Sequence, residues 1–546
     1  MPRPRLYTVA AAGLAALLVV AIAVAQQPLR RTERVAMRDG IRLATDVYLP
    51  RAEGAYPVIL VRTPYNKDGM AQLGQAAAQA GYAVVLQDTR GRYQSEGLGL
   101  AFEGDGFADH WDGYDTVRWI LTQPWCDGKI GTMGGSALGI TQLLLAGAGS
   151  PNIAVQQIHV GAPDGYRHMV YPGGVWRKAL IEDWVRGSQH SPETIRLWQS
   201  HPTYDAFWKA RTLEGRWANV NSPAIHVGGW YDIFCQGTID SYLGYQMKGG
   251  ARARGKQKLL MGPWTHGIFS DKAGELKFPN AKQPPNNVAD PFRWFNHYLK
   301  GADTGIEREA AVTYYTMGDT SDPAAPGNVW RTADAWPPPA TSTSLYLRAD
   351  RMLAWMPPSA AAAPIAYQYD PAHPCPTTGG PQLTIPAGPM DQKAVESRPD
   401  VVVFTSATLR KPLEVTGRVK VELWASSNCS DTDFVAKLCD VYPDGRSYNV
   451  CEGILRARFR EGFEREKRLT PGKPYRFVID LWSTSIVFNK GHRLRVQVTS
   501  SDAPGWDPNP NTGAGFRADR RVRVATNTLY VDARRPSRIV LPVVNR

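Results

Sequence analysis

One stretch constrains the fold more than any other: a serine set among glycines between two apolar runs. It reads KIGTMGGSALGITQLLLAGAG, from Lys129 to Gly149, with a strand-like run before Ser136 and a helix-like run after it. Gly134 and Ser136 fit the G-x-S-x-G pattern of a nucleophile elbow, but the next glycine, Gly139, comes one position late. The context predicts a sharp strand-to-helix turn, in which Ser136 is either a nucleophile or an ordinary small turn residue.

The runs on either side of this turn alternate between strand-like and helix-like patterns. Short apolar runs such as YPVILV and YAVVLQ end in turn residues, and the helix-like GMAQLGQAAAQAG lies between them. This alternation predicts a parallel sheet covered by helices, over residues 28–160 and again over residues 220–308. An Asp39-Gly40 pair within an alternating segment predicts a hairpin near its start.

Two further regions depart from this alternation. Residues 161–219 contain amphipathic, Trp-rich helix-like runs and are interpreted as an inserted helical cap. From residue 309 to residue 546, short strand-like runs recur between Pro and Gly turns, which predicts an all-β jelly roll or sandwich. At 546 residues the chain is long enough for two or three such units.

The N-terminus is typical of an export signal. Arg3 and Arg5 precede a long apolar run, and Ala23-Val24-Ala25 fits the small-x-small cleavage pattern. Residues 1–25 are therefore predicted to be a signal peptide of an exported protein, periplasmic or secreted, with no membrane span after cleavage. The alternative is an uncleaved anchor, because the apolar run is just long enough to span a bilayer.

The charge of the chain argues against a nucleic-acid partner. The formal net charge is +13, but Lys and Arg are spread along all 546 residues with acidic residues between them. Nucleic-acid binding favours a cluster of basic residues instead. The expected partner is a small molecule, and the oligomeric state, including a homo-oligomer, is left open.

The six cysteines show none of the paired spacings of a metal site, so no metal is predicted. Cys439 and Cys451 lie symmetrically about Gly445, where PDG indicates a hairpin turn. Export permits disulfides, so a cross-strand disulfide between these two cysteines is a hypothesis.

A serine nucleophile needs a base, and the base needs a carboxylate that orients it. In α/β-hydrolases the chain order is Ser, acid, His, each on a loop that follows a strand. Asp232 follows the strand-like run AIHVGG, and His266 follows the next, KLLMG. Asp240 is the rival carboxylate, but it falls in a helix-like run and is interpreted as part of a solvated face.

Acyl transfer also requires hydrogen-bond donors for the developing oxyanion. One predicted donor is the backbone N–H of Ala137, directly after Ser136. The second is the hydroxyl of Tyr65, in the loop RTPYNK after an early strand. The alternative interpretation of Tyr65 is a loop tyrosine that only packs.

Many ordered motifs together resemble one family, the α/β-hydrolases that include cocaine esterase, α-amino acid ester hydrolases, glutaryl-cephalosporin acylases and X-prolyl dipeptidyl peptidases. The resemblance spans nearly the whole mature chain and rests on MRDGIRLATDVYLP, VRTPYNK, QDTRGRYQSEG, GGSALG, GGWYD, GPWTH, RWFNHYLKG, SDTDFVAKLCDVYPDGRSYNV and SSDAPGWDPNPNTG. It implies an α/β-hydrolase domain with a C-terminal jelly roll and no cofactor. It also implies the following site: nucleophile Ser136, triad partners Asp232 and His266, and oxyanion hole Tyr65 and Ala137. Trp230, Phe234 and Trp264, which lie close to Asp232 and His266 in the sequence, are predicted to line the substrate pocket.

Two departures from the family pattern bear on the substrate. Ala137 stands where relatives commonly have Tyr, which suggests a roomier acyl site. Relatives that act on α-amino esters have acidic residues just after the triad aspartate, whereas this chain has Ile233-Phe234-Cys235. An ammonium group buried without a carboxylate is costly, so the chain looks unlike an amino-ester hydrolase unless Glu182 or Asp183 of the cap substitutes.

The sequence therefore predicts a serine hydrolase that cleaves a small-molecule carboxylic ester or amide through an acyl-enzyme. The near alternative is an X-Pro dipeptidyl peptidase, which must recognise a free amine. The remote alternative is an inactive binding protein that uses its jelly roll, since fold alone does not settle function.

Overall fold

The computed structural model describes residues 27–150 and 152–545. The segment predicted as a signal peptide, residues 1–25, lies outside this range. Within the described residues, no helix combines the length and the apolar character that a membrane crossing needs.

A large, mostly parallel sheet forms the centre of the N-terminal part. The strands of this part are Leu29–Ala36 (β1), Arg42–Leu49 (β2), Tyr56–Thr63 (β3), Ala83–Asp88 (β4), Cys126–Gly135 (β5), Ile153–His159 (β6), Ala224–Gly229 (β7), Lys258–Gly262 (β8), Lys272–Ala273 (β9), Leu276–Lys277 (β10), Val312–Thr316 (β11) and Val329–Ala333 (β12). In the described chain the main sheet has the order β1-β2-β4-β3-β5-β6-β7-β8-β11-β12, and β9 pairs only with β10. Pairing is parallel from β4 to β11 and antiparallel at both edges.

The central strands are short apolar runs because helices cover both faces of the sheet, and β4 is buried along its whole length. The α-helices are Ala71–Gln79 (α1), Asp112–Leu121 (α2), Ala137–Gly147 (α3), Lys178–Gly187 (α4), Glu193–Gln199 (α5), Ala206–Lys209 (α6), Cys235–Lys248 (α7), Pro291–Lys300 (α8) and Lys393–Glu396 (α9). Helix α8 shows local control of its ends: Asp290 caps the N–H of Phe292, and Gly301 ends the helix at φ 73°.

Helices α4, α5 and α6 lie in the segment predicted as a cap. This segment connects β6 to β7 and also contains single helical turns at Tyr166–Val170, Pro172–Gly174 and Trp217–Asn219. Its aromatic residues form one buried cluster with Phe234 and Tyr245 from the rest of the N-terminal part. The Trp-rich runs are thus apolar because they pack onto the sheet domain.

The C-terminal part is all-β. Its strands are Thr341–Leu347 (β13), Met352–Ala354 (β14), Ile365–Tyr369 (β15), Val402–Ser406 (β16), Leu413–Ser427 (β17), Asp433–Val441 (β18), Ser447–Arg456 (β19), Tyr475–Phe488 (β20), Arg493–Thr499 (β21), Ala525–Asp532 (β22), Arg535–Pro536 (β23) and Arg538–Val544 (β24). They form one connected system, β15-β22-β17-β24-β13-β14-β16-β21-β18-β19, in which β20 pairs with β17 and β23 with β22. The predicted fold class, an α/β-hydrolase domain followed by an all-β domain, is confirmed.

The two parts share a hydrophobic core. One cluster joins Trp230 and Val312 of the first sheet to Leu345 and Phe477 of the β domain. The first sheet also extends past residue 308, since β11 and β12 complete its edge. The β domain therefore packs against the N-terminal part through a continuous hydrophobic core.

The hypothesis of a disulfide between Cys439 and Cys451 is wrong, because all six cysteines are free thiols. The predicted hairpin exists, formed by β18 and β19, but its register pairs Cys439 with Asn449. A bulge after Leu438 then places Cys451 opposite Leu438. Symmetry about Gly445 in the sequence did not reveal that the turn is centred one position earlier.

Candidate active site

Ser136 lies on the turn between β5 and α3, in a backbone conformation rare for a residue with a side chain. Its φ is 59° and its ψ is −123°. Its N–H donates to the carbonyl of His159, 3.0 Å away, which ties the turn to β6. Gly139 lets α3 approach this strand, because a Cβ there would lie 2.7 Å from the same carbonyl. The late glycine of the motif thus serves close packing.

The three side chains predicted as a triad form one hydrogen-bonded chain. His266 Nε2 lies 2.8 Å from Ser136 Oγ, and His266 Nδ1 lies 2.6 Å from Asp232 Oδ2. Since a carboxylate only accepts, the second contact requires the proton on Nδ1 and leaves Nε2 free to accept the serine proton.

Asp232 and His266 follow β7 and β8, so both reach the carboxyl edge of the sheet at which β5 delivers Ser136. The Asp232 side chain is fully buried, and its second oxygen accepts the N–H of Phe234 at 2.8 Å. The His266 side chain is 14% exposed. The aspartate is thus held rigidly, while the histidine faces the space in front of the serine.

Next to the Ser136 turn lies His159, a half-buried histidine with an enclosed Nε2, which the sequence analysis did not single out. Burial lowers the pKa of His159 to about 4, so its imidazole stays neutral at ordinary pH. It adds no charge below Ser136, and its backbone carbonyl fixes the turn.

Tyr65 points its hydroxyl toward Ser136 from the loop after β3. Trp184 Nε1 donates to this hydroxyl at 2.8 Å. Desolvation of the hydroxyl end raises the pKa of Tyr65, against the opposing effects of hydrogen bonds with Trp184 and Ser136, although the residue as a whole is 39% exposed. Because an indole N–H can only donate, Tyr65 keeps its own proton to donate toward the serine.

The backbone N–H of Ala137 is the second donor near the serine. Ala137 is the first residue of α3 and is buried. The N–H groups in the first turn of a helix have no intrahelical acceptor, and the helix dipole adds positive potential there. The turn therefore presents an N–H suited to an anionic oxygen.

A narrow apolar pocket of about 20 Å³ opens beside Ser136. Its walls come from the N-terminal sheet and its helices, the cap and the β domain, and no charged side chain lines it among the described residues: Phe102, Ser136, Ala137, Ile140, Met169, Leu180, Ile181, Trp184, Ile233, Phe234 and Leu383. Such a lining favours an uncharged, apolar group next to the serine.

Of the three predicted pocket residues, the structure brings only Phe234 to this pocket. Trp230 stacks on Trp336 in the core shared with the β domain and donates to the carbonyl of Tyr315. Trp264 is fully buried under the sheet and donates to the carbonyl of Ala281. Proximity in sequence to the triad did not reveal which way these rings turn.

Asp240, interpreted from the sequence as part of a solvated face, is instead a partly buried member of a polar cluster. Its carboxylate lies 3.0 Å from His168 Nε2, 2.7 Å from Gln236 Nε2 and 3.8 Å from Arg418. The group lines a separate cleft of about 340 Å³ between α7, the cap and the β domain. The β domain buries this face of α7, and no local sequence pattern indicates that contact.

The two cap acids considered as ammonium ligands already have partners. Glu182 pairs with Arg517, and Asp183 pairs with Arg186 and accepts from Thr384. Neither carboxylate lines the pocket beside Ser136.

Several pocket residues were missed by sequence reasoning, chiefly Phe102, Trp184 and Leu383. The rings of Phe102 and Trp184 stack with centroids 5.6 Å apart. Trp184 lies on the apolar face of an amphipathic run, a signal shared with ordinary packing residues. Leu383 lies in a loop of the β domain and carries no signal in the sequence.

A parallel sheet with a nucleophile-type turn, and a serine, histidine and aspartate joined at its carboxyl edge, defines the class: a serine hydrolase of the α/β-hydrolase fold. The model of the X-Pro dipeptidyl-peptidase (S15) family matches residues 39–194 and 178–268. The model of the X-Pro dipeptidyl-peptidase C-terminal non-catalytic domain matches residues 304–540.

Individual relatives agree with these matches. Cocaine esterase of Rhodococcus sp. (strain MB1 Bresler) is 33% identical, over 94% of this chain and 98% of its own length. The crystal structure of an aminopeptidase from a marine sediment archaeon, Thaumarchaeota archaeon, has a TM-score of 0.81 at 27% identity, covering 95% of this chain and 97% of that one. An α-amino acid ester hydrolase structure has a TM-score of 0.79 at 27% identity, covering 98% and 100%. The chain belongs to the cocaine esterase and X-Pro dipeptidyl-peptidase (S15) family of serine hydrolases.

Proposed function

We propose that this protein hydrolyses carboxylic esters or amides of a small molecule whose acyl group is apolar and uncharged. The observation that carries the proposal is the hydrogen-bonded chain from Ser136 Oγ through His266 to Asp232, opening onto a pocket without charge. A buried ammonium would meet no carboxylate there, and such burial is costly.

In the proposed reaction, His266 Nε2 takes the proton of Ser136 while Oγ attacks the acyl carbonyl. Asp232 holds Nδ1–H and stabilises the imidazolium that forms. The Tyr65 hydroxyl and the Ala137 N–H donate to the oxyanion. His266 then protonates the leaving group, and the resulting acyl-enzyme is hydrolysed by a water that His266 activates.

The first test is intact-mass analysis after treatment with a reactive fluorophosphonate, beside a Ser136→Ala control. We expect one adduct on the wild-type protein and none on the control. No adduct on a folded wild-type protein would contradict the triad and move the binding-protein alternative forward.

The second test separates this proposal from peptidase activity on free amines. Two esters with one leaving group are compared: a 3-phenylpropanoyl ester and its α-amino analogue, a phenylalanine ester. We expect the neutral ester to have at least a tenfold higher kcat/KM, because only the analogue buries an ammonium. A preference for the amine, together with turnover of an X-Pro amide, would favour a dipeptidyl peptidase.

We also propose that the protein acts outside the cytoplasm, after removal of residues 1–25. The support is the pattern of Arg3 and Arg5, the apolar run and Ala23-Val24-Ala25. N-terminal mass analysis of the protein from a cell-envelope or medium fraction should give a chain that begins at Gln26. A chain that still begins at Met1 would contradict cleavage.

A further inference from the structure

Arg177 is a fully buried arginine that the proposed reaction does not use. It lies at the start of α4, and its guanidinium donates to two backbone carbonyls: Nη1 to Ile233 at 2.8 Å and Nη2 to Pro381. The rings of Trp482 and Trp506 lie 5.7 and 5.4 Å from its guanidinium carbon. Among the described residues it forms no ion pair with a carboxylate, so a buried cation is held by neutral groups.

The segments that meet at this side chain are those that build the pocket beside Ser136. Arg177 itself begins the helix whose residues Leu180, Ile181 and Trp184 line the pocket. Ile233 is a wall residue and directly follows Asp232. Pro381 comes two positions before the wall residue from the β domain, Leu383. One guanidinium therefore links a cap helix, the aspartate loop and a β-domain loop.

We propose that Arg177 is a positioning residue, whose two hydrogen bonds set the distance between the three walls of the acyl pocket and hold the loop that presents Asp232. This proposal rests on the proposed function. The chemistry of arginine suits this positioning role, because a planar guanidinium donates in two fixed directions whereas a lysine ammonium does not.

The charge of Arg177 is kept although its side chain is buried. Burial lowers the pKa of Arg177 to about 10, while the negative charges of Asp232 and Glu452 raise it. The guanidinium therefore stays charged at neutral pH, and its charge strengthens the hydrogen bonds to both carbonyls.

The experiment compares Arg177→Met and Arg177→Lys with the wild-type protein and with Lys178→Met, which removes a cation one residue away. For each folded variant, kcat and KM are measured separately with an acetyl and a benzoyl ester of one leaving group. The rate of fluorophosphonate labelling reports separately on the serine.

We expect Arg177→Met to lose about 10²-fold in kcat/KM for the benzoyl ester and about tenfold for the acetyl ester, because misplaced walls matter most for the bulky group. Arg177→Lys should not restore the ratio of the two esters, and Lys178→Met should leave that ratio unchanged.

An unchanged ester ratio in folded Arg177→Met would overturn the proposal. If Arg177→Met does not fold, the ester ratio of Arg177→Lys decides, and a wild-type ratio there overturns it. Absence of labelling and of turnover in the wild-type protein would contradict the proposed function instead, so the two failures are distinguishable.

Discussion

Two histidine-carboxylate pairs flank the beginning of α7, and only one of them has a hydroxyl beside it. His266 and Asp232 are 2.6 Å apart with Ser136 Oγ at the free nitrogen. His168 and Asp240 are 3.0 Å apart, and the other nitrogen of His168 is buried with no hydrogen-bond partner in the described chain. A histidine oriented by a carboxylate is thus not by itself a catalytic base.

The spaces beside the two pairs differ as well. The cleft at His168 is the larger, about 340 Å³, and carries paired charges such as Arg418 with Asp480. The pocket at His266 is smaller and apolar. The contact of Arg418 with Asp240 joins the β domain to α7. An apolar pocket strengthens the electrostatic interactions that acyl transfer needs. The larger of these two cavities is therefore not the one beside Ser136.

The largest expected effect separates the two pairs directly. His266→Gln should lower kcat by about 10⁴–10⁶-fold, since the serine loses its base. His168→Gln should leave kcat within about threefold, because no reacting group lies beside it. Steady-state kinetics on one apolar ester, with folding checked by circular dichroism, measures both. Equal losses of kcat in the two variants would contradict the assignment of His266, and not His168, as the base.

The next effect concerns Tyr65, the proposed oxyanion donor beside Ser136. Tyr65→Phe should lower kcat by about 10²–10³-fold with little change in KM, because the donor acts on charge that develops in the transition state. Tyr93→Phe, at an exposed tyrosine of the neighbouring loop, is the matched control. A Tyr65→Phe enzyme with wild-type kcat would make Tyr65 a packing residue.

A smaller effect tests the size of the apolar pocket. Ala137→Tyr should shift the ratio of kcat/KM for acetyl over benzoyl esters by about tenfold toward acetyl, since the ring fills acyl space while the backbone N–H remains. A competition assay with both esters reads this ratio. No shift would mean that the methyl of Ala137 does not limit the acyl group.

The smallest expected effect is on thermal stability and concerns Glu452, which lines the cleft at His168. Burial raises the pKa of Glu452 from 4.5 to about 7, despite the nearby Lys437. A raised carboxyl pKa gives stability that is full below pH 4.5 and lost as the pH rises through 7. Glu452→Gln should therefore narrow the difference in Tm between pH 5 and pH 8 by about 2–4 °C. Glu461→Gln, at an exposed carboxylate, should leave the difference unchanged.

Local patterns in the sequence sufficed for the sheet, because strand-helix alternation and the turn at Ser136 depend on neighbours in the chain. They also indicated Asp232 and His266, since the ends of parallel strands meet at one edge. Local patterns did not predict the features that depend on contacts between segments distant in the sequence. Trp264 turns into the core because Ala281 accepts its N–H, and a hairpin register places Asn449, not Cys451, opposite Cys439.

Asp240 and Arg177 show the same limit. A helix-like run around Asp240 predicts an outward face only if nothing packs on it, and the β domain does pack there. Arg177 sits in a run of mixed polarity, and both of its acceptors are backbone carbonyls. Backbone acceptors leave no trace in residue types, so no sequence pattern marks their partner.

The hydrogen bond from Arg177 to the Pro381 carbonyl can form only late in synthesis of the chain. It joins residues 204 positions apart in the chain. At a synthesis rate of about 5–20 residues per second, roughly 10–40 s separate the appearance of Arg177 from that of its second acceptor. Ser136, Asp232 and His266 all leave the ribosome earlier. The hydrogen bond that we propose to set the acyl pocket can therefore form only after all three residues of the proposed triad have been synthesised.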